Sequence, residues 1–199
     1  MAVLVLMRHG ESIWNRDDRF AGSVDVPLTD AGRSAAVAAA ASFAGFEFAA
    51  AYCSPLTRAR ETAELFLKAL GSAAPLIPEP CLVERNYGIL QGLSKERVKE
   101  LYGTGIYNLW HRSYNIAPPG GESLEALGLR VQPFVRQVVG EDLRLGGNVL
   151  LVAHGNVLRS LVMMIEKLDA DKIEQVEVGT AQPLLYELDQ DFALLSKKV

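Results

Sequence analysis

The stretch Val3-Leu4-Val5-Leu6-Met7-Arg8-His9-Gly10-Glu11-Ser12 decides how this chain is read. Its five leading apolar residues do not alternate with polar ones, which predicts a strand buried on both faces, as at the centre of a parallel sheet. The run stops on a cation, an imidazole and a glycine, none of which a buried strand needs for packing. The same ending recurs in Val149-Leu150-Leu151-Val152-Ala153-His154-Gly155. The chain has three histidines, and two of them stand between an apolar strand and a glycine. In open α/β sheets, ligands bind beyond the carboxyl ends of the strands. A glycine there permits a tight turn, and the following helix turns an N-terminus that favours anions toward the same crevice. Two imidazoles facing one phosphate is the arrangement this pattern predicts.

Outward from these strands, helices and strands alternate. Thr29 or Asp30 caps an Ala-rich helix running from Asp30 to Phe43, and Phe48 to Cys53 is a short strand. Ser54-Pro55 opens a helix with Leu56, Ala59, Ala63, Phe66 and Leu70 at helical spacing, and Gly71 stops it. A strand near Leu76–Ile77 follows. The segment from Leu82 to Pro119 reads as a long irregular loop, the kind that carries function. Gly103-Thr104-Gly105 within it lacks the third glycine of a nucleotide loop and is expected to be a turn. Ser123 to Leu143 is helical, with Pro133 expected to kink or split it. A helix near Val157–Glu166, a short one near Asp171–Glu174 and strands at Leu184–Leu188 and Phe192–Leu195 close the chain. Such alternation predicts an α/β fold, a three-layer α/β/α arrangement around a mostly parallel sheet, in a single domain spanning residues 1–199.

The totals narrow the function. A formal net charge of −4 offers no overall basic surface for nucleic acid or an anionic membrane, so an anionic ligand must be drawn by local clusters of Arg and Lys. Cys53 and Cys81 have no metal-like spacing and are too few for a disulfide framework, which fits a reducing cytosol. The N-terminal apolar run is too short for a signal segment or a membrane span, so the expected location is cytoplasmic.

Arg8-His9-Gly10-Glu11-Ser12 with Trp14-Asn15 resembles the signature of the histidine phosphatase superfamily. Further blocks are similar to its cofactor-dependent phosphoglycerate mutase branch, among them Arg19-Phe20-Ala21-Gly22, Ser54-Pro55-Leu56-Thr57-Arg58-Ala59, Glu84-Arg85-Asn86-Tyr87-Gly88, Lys95, Gly120-Gly121-Glu122-Ser123 and Ala153-His154-Gly155-Asn156. The resemblance runs in order along almost the whole chain and implies a phosphoglycerate mutase-like fold. It also implies interconversion of 3-phosphoglycerate and 2-phosphoglycerate through a phosphohistidine, primed by 2,3-bisphosphoglycerate. Its partners would be small phosphoglycerates, and its relatives are often homodimers or homotetramers.

The residues suit that chemistry. Phosphoryl transfer to nitrogen needs a neutral imidazole, and nearby guanidinium groups depress its pKa while they hold phosphate oxygens. His9 is the expected nucleophile, with Arg8 its nearest clamp, Arg58 a planar fork for phosphate and His154 a stabiliser of the transferring group. Glu84 suits the proton donor and acceptor for the substrate hydroxyl. Asn15 and Asn156 offer amides, and no metal is called for. The resemblance assigns substrate contacts to Gly22, Arg85, Tyr87, Lys95, Arg112 and Gly155. It also marks departures: Ala21 stands where such mutases often have threonine, His111 where the first of two arginines is usual, and the stretch from Pro119 into Gly120-Gly121-Glu122 is short, as in compact forms. Those departures leave a phosphatase acting on a small phosphorylated metabolite as the alternative, because water in place of the hydroxyl converts one activity into the other. A non-catalytic phospho-ligand module is the remote alternative, and it would not need His9, His154 and Glu84 together.

Overall fold

The computed structural model describes residues 2–189 and 191–198. Six strands, β1 (Val3–Arg8), β2 (Ala50–Cys53), β3 (Leu76–Pro78), β4 (Val149–Ala153), β5 (Pro183–Leu188) and β6 (Leu194–Lys198), form one sheet in the order β3-β2-β4-β1-β5-β6. β3, β2, β4 and β1 are mutually parallel, whereas β5 runs antiparallel to β1 and β6 antiparallel to β5. The two His-Gly strands therefore lie side by side at the centre, with Arg8 in register with Ala153.

The pleat sends alternate residues of these strands to opposite faces. Leu4, Leu6, Val149 and Leu151 pack with Leu127 and Val131 of α5 (Leu124–Phe134) and Leu158 and Leu161 of α7 (Gly155–Glu166). Val5, Met7, Leu150 and Val152 pack with Ala59, Ala63 and Phe66 of α3 (Thr57–Leu70), and α2 (Asp30–Ala39) lies against α3. This explains the lack of alternation in the opening run: both faces of β1 are core. Each large side chain so buried contributes roughly 1.5–3 kcal/mol of transfer free energy.

Most boundaries follow local chemistry. Thr29 caps α2 by accepting from the Gly32 amide at 3.0 Å, and Gly71 ends α3 in the left-handed region with φ +70°. α3 begins at Thr57, later than Ser54-Pro55, because its cap comes from elsewhere: the Asp25 carboxylate accepts from the Thr57 amide at 2.8 Å and hydroxyl at 2.7 Å. A four-residue helix α1 (Ile13–Arg16), unmarked by any apolar period, is held by a reciprocal capping box between Ser12 and Asn15.

Two expectations are corrected, and a third is met in part. The segment from Leu82 to Pro119 is not irregular throughout, since α4 (Lys95–Arg112) occupies eighteen of its residues. Gly103, at φ +81° and ψ 155°, breaks the helical geometry inside α4, so the expected turn survives as a kink. Pro133 stands one residue before α5 ends at Phe134, in keeping with the expected split. It sits on the solvent face, and the chain continues through one π-helical stretch, Val135–Val139, into α6 (Gly140–Arg144). The last strand starts at Leu194 and not at Phe192, because Phe192 has φ +64° inside a tight turn that begins at Asp189.

Candidate active site

β1 and β4 end together, and the Ala153 carbonyl accepts from the His9 amide at 3.0 Å. His9 and His154 therefore stand next to each other, with ring centroids 5.0 Å apart and planes at 63°. They are not at the mouth of the crevice but at its floor, 3% and 0% exposed. Nδ1 of His9 lies 2.6 Å from the carbonyl oxygen of Gly10. A carbonyl only accepts, so Nδ1 carries the proton and Nε2 keeps its lone pair. Burial, then Arg58, then Arg8 hold the His9 pKa well below its ordinary value, and burial, Arg58, His9 and Arg8 do the same for His154. Both rings are neutral at pH 7.

The glycine after His9 is needed for close approach rather than for a positive φ. A Cβ on Gly10 would meet the Gly32 carbonyl oxygen at 2.4 Å, so this residue lets the end of β1 touch the first turn of α2. Thr62 ties the neighbourhood together: its hydroxyl accepts from the Gly10 amide at 2.9 Å and donates to the Arg58 carbonyl at 2.6 Å.

Guanidinium groups surround the imidazoles and are themselves anchored by backbone. Arg58 donates to the carbonyls of Val24 and Gly22, each at 2.8 Å, and Arg8 donates to that of Val178 at 2.8 Å. These contacts leave donors over. Nε of Arg8 and both ring nitrogens of His154 are buried and have no protein partner among the described residues. Buried polar groups are normally satisfied, and this cluster of orphaned groups around His9 suits an anionic ligand with several oxygens, as a phosphate group has. The residues present thus fit a phosphate group, of the kind that 2,3-bisphosphoglycerate carries.

Three walls rise from this floor to enclose a cavity of about 290 Å³. One is α1 and the loop after it, bringing Trp14, Asn15, Phe20, Ala21 and Gly22. Asn15 spends its amide oxygen on the capping box, accepting from the Ser12 amide and hydroxyl. The second wall carries Glu84, Tyr87, Gly155 and Asn156. Glu84 is almost fully buried, its two oxygens accepting from the amides of Arg85 at 2.7 Å and Asn156 at 3.3 Å. The Asn156 side chain donates to the Tyr87 hydroxyl at 3.1 Å and accepts from Arg159 at 3.0 Å. The third wall is α4, with Lys95, His111 and Arg112. Lys95 pairs with Asp18 and Arg112 with Glu177. Burial, with Arg112, Lys95 and Arg159 beside it, pushes His111 down to about 3, so it adds no charge near neutral pH.

The structure brings all but two of the expected site residues into the lining of this cavity. His154 lies just beneath it, against His9. Arg85 points elsewhere: it is fully buried and donates to the carbonyls of Glu122, Trp110 and Ile116 while its guanidinium stacks on the Tyr87 ring, so it clamps the loop that carries Glu84. Arg19 and Arg159, which stand in or beside the quoted blocks without an assigned role, and Glu177 and Val178 also line the cavity. Arg159 had a signal, since it lies one helical turn beyond Gly155. Glu177 and Val178 had none, because only the fold carries them to the end of β1. No group of three or more His, Cys, Asp or Glu able to hold a metal ion occurs among the described residues, and no helix there is long and apolar enough to cross a membrane.

A mostly parallel sheet that sets two neutral imidazoles on the floor of an arginine-ringed cleft defines an α/β enzyme for handling phosphoryl groups. Residues 4–197 match the model of the histidine phosphatase superfamily (branch 1), and the chain belongs to that family. It is 43% identical over 196 residues to the 2,3-bisphosphoglycerate-dependent phosphoglycerate mutase of Cytophaga hutchinsonii, covering 98% of this chain and 92% of that one. The enzyme of the same name from Bartonella bacilliformis is 41% identical, covering 98% and 97%. Among solved structures, a mycobacterial hydrolase superposes with TM-score 0.88 at 27% identity, covering 100% and 97%. A mycobacterial glucosyl-3-phosphoglycerate phosphatase gives 0.83 at 28%, covering 99% and 96%.

Proposed function

We propose that this chain is a 2,3-bisphosphoglycerate-dependent phosphoglycerate mutase that interconverts 3-phosphoglycerate and 2-phosphoglycerate in the cytoplasm. The observation that carries the reading is the fixed tautomer of His9, which leaves Nε2 unprotonated among Arg8, Arg58 and His154. The choice of phosphoglycerates follows the full-length relatives, about 40% identical, that bear that name.

Bound in the cleft, 2,3-bisphosphoglycerate supplies the phosphoryl group that primes His9. Nε2 of His9 forms the bond to phosphorus and releases it to the 2-hydroxyl of 3-phosphoglycerate. Glu84 takes the hydroxyl proton as that bond forms and returns it to the leaving oxygen when the other phosphate passes back to Nε2. Arg8, Arg58 and His154 hold the equatorial oxygens of the moving group, and the prior fixation of the two guanidinium groups by backbone carbonyls means that they need not reorganise during transfer. Asn15 and Asn156 orient the phosphate and the substrate, while Lys95 and Arg112 face the carboxylate end. Tyr87 and the loop clamped by Arg85 keep water from the phosphohistidine. No metal takes part.

Hydrolysis of a small phosphomonoester is the second reading, favoured by the methyl group of Ala21 and the uncharged ring of His111. One assay separates the two: conversion of 3-phosphoglycerate to 2-phosphoglycerate with a chelator present, with and without catalytic 2,3-bisphosphoglycerate, while free phosphate is followed. Isomerisation that needs the bisphosphate and survives the chelator is expected. Phosphate release without isomerisation overturns the mutase.

A further inference from the structure

Besides Glu84, one other carboxylate, that of Glu177, lines a cleft whose remaining charged groups are cations. Glu177 lies between α8 (Ala170–Gln175) and β5, beside Val178, whose carbonyl anchors Arg8. Its carboxylate accepts from Arg112 near the end of α4. The pair stands between the active-site cavity and a second one of about 720 Å³ along α4, and both of its members line both cavities. Arg112 is one-third exposed and Glu177 three-quarters exposed, so the bond is solvated and weak: such pairs hold by no more than about a fivefold factor. The half of α4 that bears Arg112 is joined to the rest through the non-helical Gly103.

We infer that Glu177 is a resident competitor for Arg112, a latch that the substrate's second anionic group must displace, so that it weakens the hold on doubly anionic phosphate esters and leaves that on ligands with a single anionic group unaltered. The inference rests on the mutase reading for the identity of the substrate. A ligand whose only anionic group sits at His9 never meets Arg112 and is indifferent to Glu177. A ligand that also carries a carboxylate or second phosphate reaches Arg112 and binds only after breaking the pair.

Calorimetric titration of wild type, Glu177→Gln, Arg112→Ala and the double variant, with 3-phosphoglycerate and with inorganic phosphate, tests this. Glu177→Gln is expected to tighten 3-phosphoglycerate two- to fivefold and leave inorganic phosphate unchanged, and to have no effect on either ligand once Arg112 is alanine. Unchanged or weaker 3-phosphoglycerate binding, an equal gain for both ligands, or a gain that persists without Arg112 overturns the latch. Wild-type turnover of 3-phosphoglycerate, measured alongside, reports on the mutase reading separately, because binding is read whether or not isomerisation follows.

Discussion

The two His-Gly strand ends look alike in sequence and differ in what the fold does with them. At the end of β1, His9 donates Nδ1 to the carbonyl of its own neighbour, and Gly10 is pressed against Gly32. At the end of β4, neither nitrogen of His154 has a protein partner among the described residues, and the nearest atoms a Cβ on Gly155 would meet are those of the Arg8 guanidinium, at an ordinary 3.6 Å. One imidazole is fixed in a tautomer and the other keeps both nitrogens available. The first is equipped as a nucleophile, the second as a partner to oxygen atoms of a transferring group.

Substitution at these positions gives the largest effects. His9→Ala should lose mutase activity by about 10⁴-fold or more and accumulate no acid-labile phosphate, since nothing replaces the nucleophile. His154→Ala should lose about 10²–10³-fold, as removal of one stabilising donor does, and should still become phosphorylated slowly on His9. Equal losses, with no phosphoenzyme in either variant, would erase the division of roles. Next come the glycines. Gly10→Ala places a methyl carbon 2.4 Å from a backbone oxygen and should cost about 3 kcal/mol or more in urea denaturation. Gly155→Ala should change stability by less than about 1 kcal/mol. Similar costs at both sites would mean the strand ends are packed alike.

Stability should also depend on pH. His9, His154 and His111 are kept neutral in the folded state, so below pH 6.5 the unfolded chain binds the more protons and stability falls as pH falls. The loss approaches about 1.4 kcal/mol per pH unit for each histidine, and for His111 it continues to about pH 3. Denaturation midpoints between pH 7 and pH 5 should therefore decline less steeply in His154→Gln than in wild type. An unchanged slope would mean that His154 is charged in the native protein.

The floor of the cleft was legible because a double-faced strand leaves an unbroken apolar run, and the polar residues that end it stand out. The helix caps at Thr29 and Gly71 were legible for the same local reason. α4 was not: only Val98 and Tyr107 of its eighteen residues are buried, Leu101, Ile106 and Leu109 point to solvent, and Gly103 interrupts the helix, so no period emerges. Arg85 shows a different limit. Its block of sequence suggested a cation facing substrate, yet three carbonyls brought together by the fold take its guanidinium. The Glu177–Arg112 pair joins residues 65 apart in the chain, and nothing local announces it.

The most direct test of the central claim is to identify the nitrogen that carries phosphate. Protein labelled with ¹⁵N in its histidine rings, incubated with 2,3-bisphosphoglycerate and examined by nitrogen–phosphorus correlation, should show one phosphohistidine, at Nε2 of His9, with Nδ1 still protonated. Phosphate at Nδ1, or on His154, would contradict the account.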